Sequence, residues 1–199
     1  MSIFIIGITG QSGAGKSYFS DILRRRGIPC IDADGVYHTL LTPDGDCTKA
    51  LREVFGEGVV APDGSLDRKA LGAIVFSDPD KLTLLNQTVL PIVLCHIRTM
   101  IQREEAKGTR TIAVDAPTLI ESGFDRECDL VVSVTASRKK RIERIMRRDG
   151  ISSEAAAARV DAQPSEDFYA EHSHYVLDNG ERAALFETDA LSLLDTLKL

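Results

Sequence analysis

Residues 10–17 read Gly-Gln-Ser-Gly-Ala-Gly-Lys-Ser and fit the phosphate-loop pattern G-x-x-x-x-G-K-[ST] at every fixed position. Glycines allow the backbone to curve around a phosphate and to direct several N–H groups at it. Lys16 can neutralise the β and γ oxygens of a nucleotide, and the hydroxyl of Ser17 can ligate Mg²⁺. The loop therefore predicts an ATP site, whose expected contacts are Gly10, Ser12, Gly13, Ala14, Gly15, Lys16, Ser17 and the adjoining Tyr18.

The alternative is a glycine-rich turn that binds no ligand. The surroundings of the loop argue against it, because an apolar run at residues 3–8 precedes the loop and a helical pattern at 17–26 follows it. A strand, a loop and a helix in this order place the positive end of the helix at the phosphates.

Asp32 and Asp34 stand at the end of a short predicted strand, residues 29–32. In extended chain, residues i and i+2 face the same side, and the carboxyl ends of parallel strands line the ligand crevice of an α/β sheet. A carboxylate there can accept a proton from an attacking hydroxyl or orient Mg²⁺ through water. Alternatively, Asp34 caps a helix that begins at Gly35. The residues alone leave both interpretations open.

Asp115 ends another apolar run, residues 111–114, and is therefore expected at the same crevice. Enzymes with a phosphate loop use an acid at such a position to organise Mg²⁺, so Asp115 joins Ser17 as a candidate metal ligand. The alternative is a turn-forming aspartate ahead of Pro117, which the phosphate loop makes the weaker interpretation.

Residues 137–148 are strongly basic although the chain has a formal net charge of −6. Arg141, Arg144 and Arg148 fall on one helical face, at i, i+3 and i+7. They form either a solvated face or a lid whose guanidinium groups bind the transferred phosphates. A nucleic-acid patch is disfavoured because the segment lacks interleaved aromatic residues.

A parallel sheet is needed to bring these candidates together, and apolar runs alternate with helical patterns as an α/β fold requires. The predicted strands are residues 3–8, 29–32, 111–115, 130–135 and 176–177, and a closing helix is predicted from about 181 to 197. Helical patterns cover residues 35–55, 67–76, 78–107 and 137–169. The sequence thus predicts a single three-layer P-loop domain over residues 1–199. Its core is 1–34, 109–136 and 175–199, with a helical substrate-binding insertion at 35–108 and a helical lid region at 137–174.

The composition is that of a folded protein, with 43% hydrophobic and 27% charged residues. Its negative net charge disfavours a protein that coats nucleic acid. The cysteines are far apart and form no C-x-x-C pair, which favours reduced thiols in the cytoplasm. No uninterrupted apolar run approaches the roughly 20 residues that span a bilayer. We expect a soluble cytoplasmic protein, monomeric or weakly oligomeric, with small-molecule partners and with neither nucleic acid nor membrane as a partner.

Further motifs, taken with the phosphate loop, occur in an order that resembles the dephospho-coenzyme A kinase family. They are Ile-Asp-Ala-Asp34, Gly64-Ser-Leu-Asp-Arg68-Lys-Ala-Leu71, Val75-Phe76, Asp115-Ala-Pro-Thr-Leu-Ile-Glu121, Arg144 with Arg148-Asp149, Gln163, and Asp178-Asn179. The similarity extends from residue 3 to about residue 179. Only the phosphate loop is specific by itself, whereas the order and spacing of the whole set are distinctive.

The resemblance implies a fold similar to that of nucleoside monophosphate kinases, with a parallel five-stranded core, a helical substrate-binding domain and a lid. It also implies Mg²⁺-dependent transfer of the γ-phosphate of ATP to the 3′-hydroxyl of dephospho-CoA, which completes coenzyme A. Asp34 matches the proposed base of the family, and the expected catalytic set is Asp34, Lys16 and Arg144. The resemblance adds Arg144, Arg148 and Asn179 to the ATP contacts, and the expected acceptor contacts are Asp32, Asp34, Arg68 and Asp115.

The chain departs from the family pattern at several positions. Arg141 stands where a glutamine is usual, Tyr169 where a lysine is usual, and Leu90 and Thr118 replace a histidine and a leucine. Two rival functions stay open. One is a kinase of the same fold that acts on another small molecule, such as a nucleoside or nucleotide. The other is a protein that binds ATP without transferring phosphate, which the intact phosphate loop and its acids disfavour.

Overall fold

The computed structural model of this 199-residue chain describes residues 2–180 and 183–199. The strands are β1 (Phe4–Gly10), β2 (Cys30–Asp32), β3 (Thr111–Asp115), β4 (Leu130–Thr135) and β5 (Tyr175–Asp178). The helices are α1 (Lys16–Arg25), α2 (Ala33–Thr39), α3 (Asp46–Phe55), α4 (Arg68–Val75), α5 (Pro79–Ala106), α6 (Arg138–Asp149), α7 (Ser153–Asp161), α8 (Glu166–Glu171) and α9 (Ala183–Thr196). Short 3₁₀ turns lie at Glu57–Val59 and Phe124–Glu127.

The five strands form one sheet in the order β2-β3-β1-β4-β5. β1 pairs in parallel with β3 and β4, and β4 pairs in parallel with β5. The register sets Ile8 opposite Asp115 and Gly10 opposite Val134, so the carboxyl ends of three neighbouring strands share one edge. The predicted α/β fold with a parallel five-stranded sheet is confirmed.

The chain divides into two compact units. The first unit comprises residues 1–31 and 104–199, and the second comprises residues 32–103. The phosphate loop, Asp115 and the basic helix α6 belong to the first unit, whereas Asp34 and Arg68 belong to the second.

The core of the first unit forms because α1 is amphipathic. Phe19, Ile22 and Leu23 are spaced three to four residues apart, so they share one face of α1, and all three are buried. They pack in a cluster with side chains of β1, β4 and α9, namely Ile6, Ile8, Val132, Val134, Phe186 and Leu194. Full burial of a side chain such as Phe19 contributes about 1.5–3 kcal/mol. This packing holds α1 in place, and the phosphate loop ends in the first turn of that helix.

The second unit is helical, as the sequence predicts. Asp67 caps α4 by accepting hydrogen bonds from the backbone N–H groups of the second and third helical residues, at 3.0 and 2.9 Å. The long helix α5 buries a stripe at every fourth residue, formed by Val89, Val93, Ile97 and Ile101. Within the described ranges, α5 is also the one helix long and apolar enough to cross a membrane by length and composition, a test that core helices of soluble proteins pass too.

Two of the predicted helical segments each contain several shorter helices. Residues 35–55 contain the end of α2, a turn and α3, because Pro43 and Gly45 interrupt the helix. Residues 137–169 contain α6, α7 and part of α8, and Ser152 and Ser165 cap the second and third of these. The closing helix is present as α9, while the first two residues of its predicted range, 181 and 182, lie outside the described part of the chain.

Candidate active site

The phosphate loop connects the end of β1 to the start of α1, as the sequence predicts. Gly13 and Gly15 have φ angles of 78° and 107°, a region that other residues rarely adopt. A Cβ atom on Gly13 would lie 2.7 Å from the backbone oxygen of Arg141. A Cβ atom on Gly15 would collide with the side-chain amide of Asn179. Both glycines are therefore required by the backbone conformation and by close packing.

Lys16 extends back over the loop that precedes it. Its Nζ atom donates a hydrogen bond to the carbonyl oxygen of Gly10 at 2.8 Å. The ammonium group thus lies against the loop at the amino end of α1, where the helix dipole also favours an anion. This arrangement concentrates positive charge where the sequence predicts nucleotide phosphates.

Asp115 lies at the carboxyl end of β3, beside α1. The buried Ser20 hydroxyl donates to Asp115 Oδ2 at 2.8 Å, and Ser20 lies one helical turn after Lys16. Ser17 is exposed in the first turn of the same helix. A hydroxyl and a carboxylate are hard oxygen donors, and Mg²⁺ commonly takes one or two protein ligands and completes its coordination with phosphates and water. The side chains present therefore fit the metal that the sequence predicts.

Arg144 of α6 binds carbonyl oxygens of the phosphate loop. Its Nη1 atom donates to the carbonyl oxygens of Gly13 and Ala14 at 3.2 and 3.0 Å, and its Nη2 atom donates to the backbone oxygen of Asn179 at 3.0 Å. The amide nitrogen of Asn179 donates to the same Ala14 oxygen at 2.8 Å. Burial lowers the pKa of the Arg144 guanidinium from its ordinary value. Two residues predicted to contact ATP are thus brought to the loop.

Arg141, also on α6, contacts the loop at Ser12, the residue before Gly13. Its Nε atom donates to the Ser12 oxygen at 3.1 Å, and its Nη2 atom donates to Gln163 Oε1 at 2.8 Å. The same Gln163 oxygen accepts the Ser12 N–H at 2.8 Å. Only 4% of Arg141 is exposed, so the interpretation of this basic face as solvated is wrong for Arg141.

Arg148, at the end of α6, contacts a neighbouring acid instead. It forms two hydrogen bonds to Asp149, at 2.6 and 2.9 Å, and Arg159 reaches the same carboxylate at 2.8 Å. The Arg148 guanidinium holds the pKa of Asp149 below its usual range. Of the three arginines that share one predicted face, two contact the loop and the third is part of an exposed ion-pair group.

The second unit contains three of the four predicted acceptor residues, and the fourth, Asp115, lies in the first unit. β2 ends at Asp32 and α2 begins at Ala33, so Asp34 lies in the first turn of a helix. The expectation that Asp32 and Asp34 face one side of an extended strand is wrong, because the chain turns into a helix between them. The alternative that Asp34 caps a helix starting at Gly35 is also wrong, because the N-cap position is Asp32. Both carboxylates are exposed.

Arg68 is the first residue of α4 in the same unit. It is exposed, and its positive charge opposes the rise in the pKa of Tyr37 that burial causes. This places a cation near a phenol of α2, the helix that carries Asp34.

Comparison with known proteins identifies the family. The family model described as dephospho-CoA kinase matches residues 4–184. The chain belongs to the dephospho-CoA kinase family. Among curated members, the protein of Symbiobacterium thermophilum is 40% identical over 186 residues, which cover 94% of this chain and 77% of the relative. The dephospho-CoA kinase of Oryza sativa subsp. japonica is 36% identical over 88% of this chain and 76% of its own length. Members of this family are ATP-dependent kinases, and this chain is therefore a transferase.

Solved structures share the fold of this chain. The protein TT1252 from Thermus thermophilus is 31% identical, with a TM-score of 0.84 over 100% of this chain and 99% of that one. Dephospho-CoA kinase from Campylobacter jejuni has a TM-score of 0.71 at 24% identity, over 97% and 96% of the two chains. Shikimate kinase from Acinetobacter baumannii, at 16% identity and a TM-score of 0.53 over 99% and 96% of the two chains, shares the fold.

Two residues that make contacts at this site are missing from the residue sets that the sequence predicts. Ser20 bonds to Asp115, and Gln163 bonds to both Ser12 and Arg141. The sequence could have indicated Ser20, because a residue four positions after Lys16 lies on the same face of the predicted helix. Gln163 is one of the motifs that carry the family resemblance, but no local pattern predicts this contact, since Gln163 lies 151 residues from Ser12.

Proposed function

We propose that this protein transfers the γ-phosphoryl group of ATP to the 3′-hydroxyl of dephospho-CoA, with Mg²⁺, in the cytoplasm. The observation that carries the proposal is the family match over residues 4–184, which includes both the phosphate loop and Asp34. The four cysteines are all free thiols, which suits a reducing compartment.

The first unit supplies the groups for the phosphate donor. In the proposed mechanism, the N–H groups of the loop and the Lys16 ammonium bind the β- and γ-phosphates of ATP. Ser17 and Asp115 would hold Mg²⁺, which supplies positive charge to the phosphate oxygens as negative charge shifts toward the leaving group. Arg144 and Asn179 act next to the loop that they contact, and Arg148 is assigned to ATP on the family resemblance.

The second unit supplies the groups for the acceptor. The 3′-oxygen of dephospho-CoA forms the new bond to the γ-phosphorus, and the bond from that phosphorus to the β–γ bridging oxygen breaks, which releases ADP. We assign Asp34 as the group that takes the hydroxyl proton, since it is exposed and lies in the first turn of α2. The cationic Arg68 is assigned to the anionic phosphates of the acceptor by charge complementarity. Asp32 is assigned to the acceptor on the sequence prediction alone.

The test is a coupled assay of ADP release with mass spectrometry of the product. The wild-type protein should consume ATP rapidly when dephospho-CoA is present, and the product should be heavier by one phosphoryl group. Phosphorus NMR should place that group at the ribose 3′ position. AMP, CMP, UMP and uridine serve as competing acceptors, and Lys16→Met serves as the control for contaminating kinases.

Two outcomes would contradict the proposal. If one of the competing acceptors has a higher kcat/KM than dephospho-CoA, the protein is a kinase with a different substrate. ATP binding without turnover on any acceptor would favour a protein that binds ATP and does not transfer phosphate.

A further inference from the structure

Arg141 is a buried cation in contact with the phosphate loop. It is 4% exposed, and burial lowers the pKa of its guanidinium from the ordinary value. An arginine side chain stays charged in proteins, so its burial costs free energy unless hydrogen bonds compensate. Its hydrogen bonds to Ser12 and Gln163, at 3.1 and 2.8 Å, provide that compensation.

Arg141 and Gln163 together hold both main-chain groups of Ser12. Gln163 Oε1 accepts the Ser12 N–H at 2.8 Å, and Arg141 Nε donates to the Ser12 carbonyl at 3.1 Å. The two side chains are joined to each other, since Arg141 Nη2 donates to the oxygen that binds Ser12. Neighbouring Gln11, which is 3% exposed, donates to the carbonyl of Pro164 at 3.0 Å. The loop is therefore attached to the connection between α7 and α8 as well as to α6.

These contacts act on the carbonyl side of the loop. The oxygens of Ser12, Gly13 and Ala14 are consecutive, and each accepts a hydrogen bond from Arg141 or Arg144. A trans peptide unit carries its N–H opposite to its C=O. Side chains that hold the Ser12 and Ala14 carbonyls therefore turn the N–H groups of Gly13 and Gly15 to the opposite side, where a phosphate binds. The Ala14 N–H instead donates to the Gln11 carbonyl at 3.1 Å.

We propose that Arg141 and Gln163 are positioning residues that hold the phosphate loop in its phosphate-binding conformation before the nucleotide arrives. A loop that is already ordered loses less conformational freedom on binding, so nucleotide affinity rises without any contact between these residues and the nucleotide. The inference rests on the proposed function in one respect, namely that this loop holds nucleotide phosphates.

Four variants test this role through the affinity for Mg·ADP, measured by calorimetry. Arg141→Met and Gln163→Met keep side-chain volume and remove the hydrogen bonds, so each should weaken ADP binding by about 10- to 100-fold. Gln163→Glu keeps an acceptor for both partners and should stay within about threefold of wild type. Arg138→Met is the matched control on the same helix, because it removes a two-bond ion pair to Asp161 on the protein surface.

Steady-state kinetics provide a second readout. Because the loop is ordered again once ATP is bound, the KM for ATP should rise with the loss of ADP affinity, while kcat at saturating ATP stays within about twofold. A purely structural role would instead lower thermal stability and leave the ADP affinity of the folded protein unchanged.

The outcomes separate this inference from the proposed function. A wild-type protein that fails to bind ADP overturns both. A wild-type protein that binds ADP, with both methionine variants within twofold of it, overturns the positioning role alone. Equal losses in Arg138→Met also overturn it, because they would reflect general destabilisation of α6. If Arg141→Met does not fold, the comparison of Gln163→Met with Gln163→Glu decides, since glutamate keeps the acceptor oxygens that methionine lacks.

Discussion

Substitution of Ser20 by alanine should separate metal binding from folding. The Ser20 hydroxyl has one hydrogen and two acceptors within reach, Asp115 Oδ2 at 2.8 Å and the Lys16 carbonyl at 3.2 Å. The shorter bond leads to an ionised oxygen and is the stronger of the two. A hydrogen bond to a charged group contributes about 1.5–3 kcal/mol, while alanine in place of serine recovers roughly 0.5 kcal/mol of helix propensity. The net loss of unfolding free energy should therefore be about 1–2.5 kcal/mol, and the protein should stay folded.

The same substitution should also lower the affinity of the site for its metal. Removal of a hydrogen bond that orients a metal ligand typically lowers metal affinity by about 10- to 100-fold. We expect Ser20→Ala to weaken Mn²⁺ binding to the ADP complex by at least tenfold, measured by electron paramagnetic resonance with Mn²⁺ in place of Mg²⁺. The Mg²⁺ concentration for half-maximal activity should rise by the same factor.

The control is Thr188→Ala on α9, which removes an exposed hydroxyl bonded to the carbonyl four residues earlier. It should leave both metal measurements unchanged. Mn²⁺ affinity within twofold of wild type in Ser20→Ala would refute the reasoning, and Asp115→Asn would then show which step failed. An equally small effect of Asp115→Asn would remove Asp115 from the metal site.

Three further predictions concern the donor site, the acceptor site and a thiol. Lys16→Met should lower the rate of phosphoryl transfer at least about 100-fold with an unchanged circular dichroism spectrum, and near-normal turnover would refute the P-loop assignment. Asp34→Asn should lower kcat by about 10²–10⁴-fold while ADP affinity measured by calorimetry stays within threefold, and a normal kcat would exclude Asp34 as the base. Burial raises the pKa of the Cys128 thiol from 9.0 to about 12. The unfolded chain therefore releases the thiol proton at a lower pH than the folded protein does. As a result, the unfolding free energy should fall as pH rises from about 9 to 12. Urea unfolding at pH 8 and 10 should show that loss, and Cys128→Ala should reduce it; an undiminished loss would contradict the assignment to this thiol.

Short buried strands are the part of the fold that the sequence predicts best. β3 and β4 have the predicted bounds, because each is an apolar run with polar residues at both ends. The loop between β1 and α1 is equally clear, since its glycines must adopt backbone angles that other residues avoid. Asp34 shows the limit of this reasoning. The alternation of side chains along a strand predicts the side on which Asp34 lies only if the strand continues through Asp34. The chain instead turns into α2 at Ala33, one residue earlier.

The contacts that complete the site could not be predicted from local pattern. The sequence pattern of a basic helix is the same whether its arginines face water or protein. Only the packing of α6 against the loop distinguishes Arg141 from Arg148. Helix periodicity assigns both to one face, but the burial of Arg141 depends on Gln163 and Ser12, which are distant in sequence. Such partners become neighbours only through the order of the strands.

The attachment of the phosphate loop to distant side chains has a consequence for synthesis of the protein. The loop is made first, whereas Arg141 follows Ser12 by 129 residues and Asn179 follows Ala14 by 165. At about 5–20 residues per second, the ribosome takes roughly 8 to 33 s to add those 165 residues. During that interval the nascent chain carries the complete phosphate-loop motif without the side chains that hold its carbonyls. Tight nucleotide binding should therefore emerge only after β5 has been synthesised and has joined the sheet.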